Sequence, residues 1–231
     1  MSSTKHRQPW IHTAPFDGAF ILLPGLLSLL IVALLPDAYK NSRYLPDWTW
    51  VVLVLLVDVA HVYSTLFRTY FAGDEFRRRK TLYLLAPVLC YVSGVLLYGL
   101  GAGIFWRVLA YFAVFHFVRQ QYGFMRLYTR EAPRRTFRSR MDGITIYAAT
   151  IYPLVYWHCT PGRNFNWFVD GDFMQMNNAA IKQIAFVLYL AILTFYTASE
   201  LWHTATTRTF NLPKNLLIAG TALTWYFGIV Y

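Results

Sequence analysis

Three pairs of ionisable residues repeat one spacing in this chain: Asp58-x-x-His61, His116-x-x-Arg119 and Glu200-x-x-His203. Residues three apart share a face of an α-helix, so each pair presents two polar groups side by side. A carboxylate beside an imidazole offers a hard oxygen and a borderline nitrogen, donor types that suit iron and manganese. Dinuclear carboxylate bundles draw a Glu-x-x-His pair from each of two helices and further carboxylates from the others. Two carboxylate-x-x-His pairs and a third histidine therefore predict a metal site with Asp58, His61, His116, Glu200 and His203 as ligands. The expected metal is dinuclear iron, with manganese as the alternative. Arg119 would hold a ligating carboxylate or a bound anion through charge-assisted hydrogen bonds. Gln120, Gln121 and Tyr122 would add hydrogen bonds around it, which makes Arg119, Gln120 and Tyr122 the candidate catalytic positions.

The elements that carry these residues read as membrane spans. Residues 48–68 (WTWVVLVLLVDVAHVYSTLFR) are apolar over a bilayer-crossing length, yet hold Asp58 and His61 near their middle. A hydrocarbon core about 30 Å thick takes about 20 apolar residues as a helix. An unpaired carboxylate at that depth costs at least ~2.5–3.5 kcal/mol, so another group must meet it. Apolar runs recur at 16–35, 48–67, 81–100, 104–122, 142–157, 179–201 and 215–231. They predict an all-α, polytopic transmembrane bundle of about seven spans in a single domain, 1–231. The last run reaches Tyr231 without a flanking charge, which fits a short final helix or a chain that continues. The first run lacks a clear cleavage site before Pro36 and reads as a retained span.

Charge sets the expected orientation. Segments 1–15, 68–80, 126–142 and 202–214 carry net charges of +2, +3, +4 and +2, whereas 36–47, 101–103 and 160–178 carry 0, 0 and −1. Complete segregation of this kind predicts a cytoplasmic N-terminus. Trp48, Trp50, Trp106 and Trp157 fall at the opposite span ends, as an aromatic belt would. The composition agrees, with 57% hydrophobic and 14% charged residues. The net charge of +10 sits in loops beside the spans, so it implies anionic lipid headgroups at the cytoplasmic face and not nucleic acid. Two cysteines, Cys90 and Cys159, make no disulfide framework.

The same residues have plainer uses. Asp58 and Arg119 would make a buried ion pair with His61 and His116 around it, a device for fixing helix packing. Glu200 and His203, near a span end, would need no function at all. Asp17 and Asp142 open helices and suit N-terminal capping. His6 and His12 belong to a solvated tail, and His158 lies at the outer end of its span. Tyr147, Tyr152 and Tyr156 read as packing residues.

Of the function classes open to such a chain, the pattern favours an integral membrane oxidoreductase that acts on a lipophilic substrate and takes electrons from a soluble donor. Membrane desaturases, hydroxylases and carotenoid-cleaving oxygenases have that plan, and the resemblance is of plan alone: no H-x-x-H-H or H-x-x-x-H occurs here. A transporter or proton pathway is the alternative, although the outer halves of the spans hold almost no ionisable groups and no internal repeat is visible. A transferase for lipid-linked substrates, with His116 as base and Arg119 on a phosphate, and a non-catalytic membrane subunit complete the set.

Overall fold

The computed structural model describes residues 8–36, 46–162 and 166–230, without the side chains of Asp47, Trp50, Leu53, Val54 and Asp58. Helix makes up 79% of the described residues, and none is in a strand. The long helices are α1 (Ala14–Leu34), α2 (47–68), α4 (Lys80–Leu100), α5 (Ala102–Tyr128), α6 (Phe137–His158), α7 (Ala179–Thr207) and α8 (212–230), with a short α3 (Gly73–Arg78) before α4. Each long helix overlaps one of the expected apolar runs. Length and composition qualify α1, α4, α5 and α7 to cross a membrane. The helices outrun the apolar runs: α5 continues to Tyr128, α6 begins five residues before Asp142, and α7 continues to Thr207. Hydropathy sees only the continuously apolar part of a helix, and these extensions mix aromatic and apolar residues with arginines and other polar side chains.

The chain forms two compact units, 34–105 and the remainder. In the smaller, residues 50–59 of α2 are wound as a π-helix, and Asp58 lies in that stretch. The basic loop before α4 is itself folded. Tyr70 Oη donates to the Tyr83 carbonyl at 2.7 Å, and Tyr83 Oη donates to Glu75 at 3.1 Å. Glu75 also pairs with Arg78 and Arg79 at 2.8 and 3.0 Å. Gly101, at φ +140°, forms the link between α4 and α5 in a conformation that a side chain would strain.

In the larger unit, α6 is the inner helix and packs against both α7 and α8. Its buried residues include Asp142, Thr145, Ile146, Ala149, Thr150 and Pro153, spaced at three and four along one face. Small and hydroxylated residues let helices approach closely in lipid. Thr145 and Thr150 satisfy their hydroxyls on the carbonyls of Met141 and Ile146 at 2.8 and 3.2 Å. One apolar core joins five helices: Ile21 of α1, Met125 and Tyr128 of α5, Ile146 of α6, Tyr196 of α7, and Leu217 and Ile218 of α8. Towards the other end, Tyr152, Tyr189 and Tyr226 stack, with 4.5 Å between the first two ring centroids.

Hydrogen bonds place the segments at 8–13, 128–130 and 210–212 at the same end of this unit. Gln8 bonds the backbone of Phe210 and Leu212, Arg130 donates to the Pro9 and Trp10 carbonyls, and Asn211 donates to the Tyr128 carbonyl. The loop after α6 closes the opposite end. There Tyr111 bonds His158 Nε2 at 2.9 Å, and Met176 N donates to the His158 carbonyl at 2.8 Å. Asp17 is no helix cap: Thr13 caps α1, while Asp17 accepts the N–H groups of Ile11 and His12 and secures the segment before the helix.

Where α1 meets α8, a Cβ built on Gly25 would lie 3.0 Å from the Thr224 methyl. Gly25→Leu should therefore destabilise by about 1–3 kcal/mol through overpacking. A denaturant titration in micelles measures this, and adding Thr224→Ala should recover part of the loss.

Candidate functional site

The charged residues of α6, α7 and α8 converge on one carboxylate. Glu200 receives Arg138 Nε on Oε1 at 2.7 Å and Arg138 Nη2 on Oε2 at 2.9 Å, the bidentate geometry that a planar guanidinium favours. Lys214 Nζ reaches Glu200 Oε1 at 2.9 Å and Asp142 Oδ1 at 2.8 Å. Asn215 Nδ2 donates to Glu200 Oε2 at 3.0 Å and is itself positioned by Tyr196 Oη, which donates to Asn215 Oδ1 at 2.7 Å. The Lys214 ammonium also lies 5.3 Å from the Tyr196 ring centroid. Lys214, Asp142 and Glu200 are 1%, 4% and 5% exposed. Two cations face two carboxylates, so the buried group is neutral overall and its four donors fill both oxygens of Glu200.

The local sequence explains why each helix delivers its charge here. Thr136 caps α6 by accepting the N–H of Ser139, which starts the helix early enough to put Arg138 in its first turn and Asp142 one turn on. Asn211 caps α8 by accepting the N–H of Lys214, fixing the turn from which Lys214 and Asn215 project. Arg138 is held above its ordinary pKa range: burial works against the charge, and the bonds and charge of Glu200 outweigh it. Arg138 Nη1 donates to His203 Nε2 at 2.9 Å, so that nitrogen is an acceptor and its lone pair is already engaged. Thr209 Oγ1 also approaches it, at 3.2 Å.

A cleft of about 500 Å³ opens beside this group, walled by Phe137, Met141 and Trp202 and floored by Arg138, Glu200 and His203. Glu200 and His203 therefore do meet, as the spacing predicts, but through Arg138. A metal bound to Glu200, or to Nε2 of His203, would have to displace an arginine or a lysine.

The other expected residues stand elsewhere. Arg119 donates to the Tyr147 hydroxyl and lies 5.0 Å from the Tyr122 ring, and Tyr122 stacks on Tyr147 at 5.1 Å. Tyr147 is thus a guanidinium partner as well as a packing residue. Gln121 accepts from Thr221 at 3.0 Å, while Gln120 makes no side-chain hydrogen bond among the described residues. His116 has a ring contact with Phe117 at 5.8 Å and no hydrogen bond there, and the His61 imidazole likewise has none. Asp58 has no described side chain, so its expected pairing with Arg119 lies outside the described residues. His6 lies outside them as well. Among the described residues, no group of three or more His, Cys, Asp or Glu side chains is placed to hold one metal ion.

Sequence spacing missed Asp142, Arg138, Lys214, Asn215 and Tyr196. Asp142 was expected to cap a helix, but it sits inside α6 and pairs with Lys214. Its signal was available: an acid and a base at the predicted edges of two spans, each too close to lipid to stand alone. No family model, curated protein or solved structure matches this chain.

Removing one partner of a buried ion pair costs about 3–5 kcal/mol because the other charge is left uncompensated. Lys214→Met should lose that much in a micelle unfolding titration. Adding Asp142→Leu should recover most of it, since Glu200 keeps Arg138. A Lys214→Met protein within ~0.5 kcal/mol of wild type would mean the junction contributes nothing.

Proposed function

We propose that the chain is an integral membrane oxidoreductase that uses a metal, iron or manganese, to act on a lipophilic substrate drawn from the bilayer. The observation that carries this is the state of two histidines. His203 and His158 each have ring nitrogens fixed by neighbours, whereas His61 and His116 have imidazoles with no hydrogen bond among the described residues. A polar group in an apolar span without a partner is costly, and such groups mark functional sites in membrane proteins. Neutral imidazole is the commonest metal ligand. Support for a metal thus comes from the Asp58-x-x-His61 spacing and from the condition of each imidazole within its own unit.

The ligands proposed, each within its own unit, are Asp58 and His61 in the smaller and His116 in the larger. Glu200 and His203 move from the ligand set to the ionic junction, because their donor atoms are already committed to Arg138 and Lys214. Arg119 remains the candidate for holding an anion or orienting a substrate, with Tyr122 and Tyr147 shaping its plane and Gln120 one residue away. Seven spans with a cytoplasmic N-terminus, and a soluble electron donor on that side, complete the proposal. A lipophilic substrate is supported by the apolar surfaces of α5 and α7, where Phe112, Phe115, Leu188 and Phe195 are exposed.

A metal-free transferase is the second reading, favoured by the Arg119–Tyr147 contact, which leaves a guanidinium oriented without a carboxylate partner among the described residues. Elemental analysis of protein purified without chelator separates the two. Stoichiometric iron or manganese should be present in wild type and lost in His61→Ala and His116→Ala, with helical circular dichroism unchanged. Metal retained in both variants would refute the ligand assignment, and none in folded, metal-supplied wild type would favour the transferase.

A further inference from the structure

The apolar cleft beside Glu200 has a polar neighbour. A basin of about 520 Å³ opens at the basic end of the larger unit, lined by Gln8, Thr129, Arg138, Arg208, Thr209 and Asn211. Arg138 lines both cavities. A guanidinium has five N–H donors. Three of those of Arg138 are used, two on Glu200 and one on His203, which leaves two. Arg208 adds a second guanidinium with no side-chain partner among the described residues. It is held at the end of α7 by an uncommon left-handed backbone, φ 56°, whose N–H returns to the Thr204 carbonyl. The one carboxylate on the rim, Glu131, sits 3.6 Å from Arg130.

We propose that the basin and cleft together form a site for one anionic phospholipid. Its phosphate headgroup lies against Arg138 and Arg208, and an acyl chain runs along Phe137, Met141 and Trp202. Charge complementarity argues for this occupant, since two guanidinium groups with free donors face the basin. The apolar wall argues for the chain: Phe137 and Trp202 are 65% and 74% exposed, so the cleft opens onto the surface that lipid would cover. This is more specific than the diffuse attraction of basic loops to a charged leaflet, because it names two donors and a wall shared through one residue. It does not depend on the metal proposal.

Photolabelling tests the site. The full chain in mixed micelles is exposed to phosphatidylglycerol with a diazirine on its acyl chain, and separately to the matching phosphatidylcholine. Adducts are then mapped by peptide mass spectrometry. Phosphatidylglycerol should label the α6 and α7 peptides around Met141 and Ala198 about fivefold more than phosphatidylcholine, the weight of one arginine near a charged headgroup. Arg208→Gln should reduce that preference, leaving the phosphatidylcholine adduct unchanged and the ionic junction intact. Arg138→Lys, which keeps a charge on Glu200, should lower it as well. Equal labelling by the two lipids would overturn the headgroup assignment, and absence of adducts on those peptides would overturn the cleft. If excess glycerol phosphate abolished the labelling, the basin would be a site for soluble phosphate and not for lipid.

Discussion

Lys214 is the charge on which the packing of the larger unit depends. It sits between Asp142 of α6 and Glu200 of α7 at 2.8 and 2.9 Å, and it projects from α8, so one ammonium ties three helices together. Where lipid surrounds a bundle, apolar faces gain little by meeting one another, and small residues and polar contacts decide which helices pair. A buried ionic group adds modest net stability and strong specificity, because any arrangement that separates its members leaves a charge uncompensated. The apolar core beneath it, from Met125 to Ile218, fills the space that this junction defines.

From that junction the basic end is assembled outward. Asn211 caps α8 and reaches Tyr128, Gln8 closes onto Phe210 and Leu212, and Arg130 holds the segment through Trp10. Arg138 faces two ways, toward Glu200 inside and toward the basin outside. The positive charge of the loops is therefore partly structural. Arg130 is spent on the fold and Arg138 in part, Arg78 and Arg79 pair with Glu75 in the smaller unit, and Arg208 is left to meet the surroundings.

The long helices were legible in the sequence because a run of about 20 apolar residues has few other destinies. Their polar ends were not, since Phe137–Met141 and Trp202–Thr207 lack the hydropathy that marks a span. Spacing found Glu200 with His203 but not what occupies them. The partner of Glu200 comes from Arg138, 62 residues away, and helical periodicity carries no information about such pairs. Lys214 and Asp142 read in the sequence as loop and cap residues, the commoner fates of charges at span edges. His61 and His116 stand out only by contrast, once the structure has satisfied the other two span histidines.

A structural carboxylate and ligand histidines divide the labour in this account of the protein, and Glu200→Gln examines that division in one sample. Unfolding midpoint and metal per folded protein are measured together. A fall in the midpoint with metal content unchanged is the predicted result, because glutamine loses the charge that Arg138 and Lys214 require but removes no ligand. Loss of the metal with the midpoint intact would contradict it, and would return Glu200 to the metal.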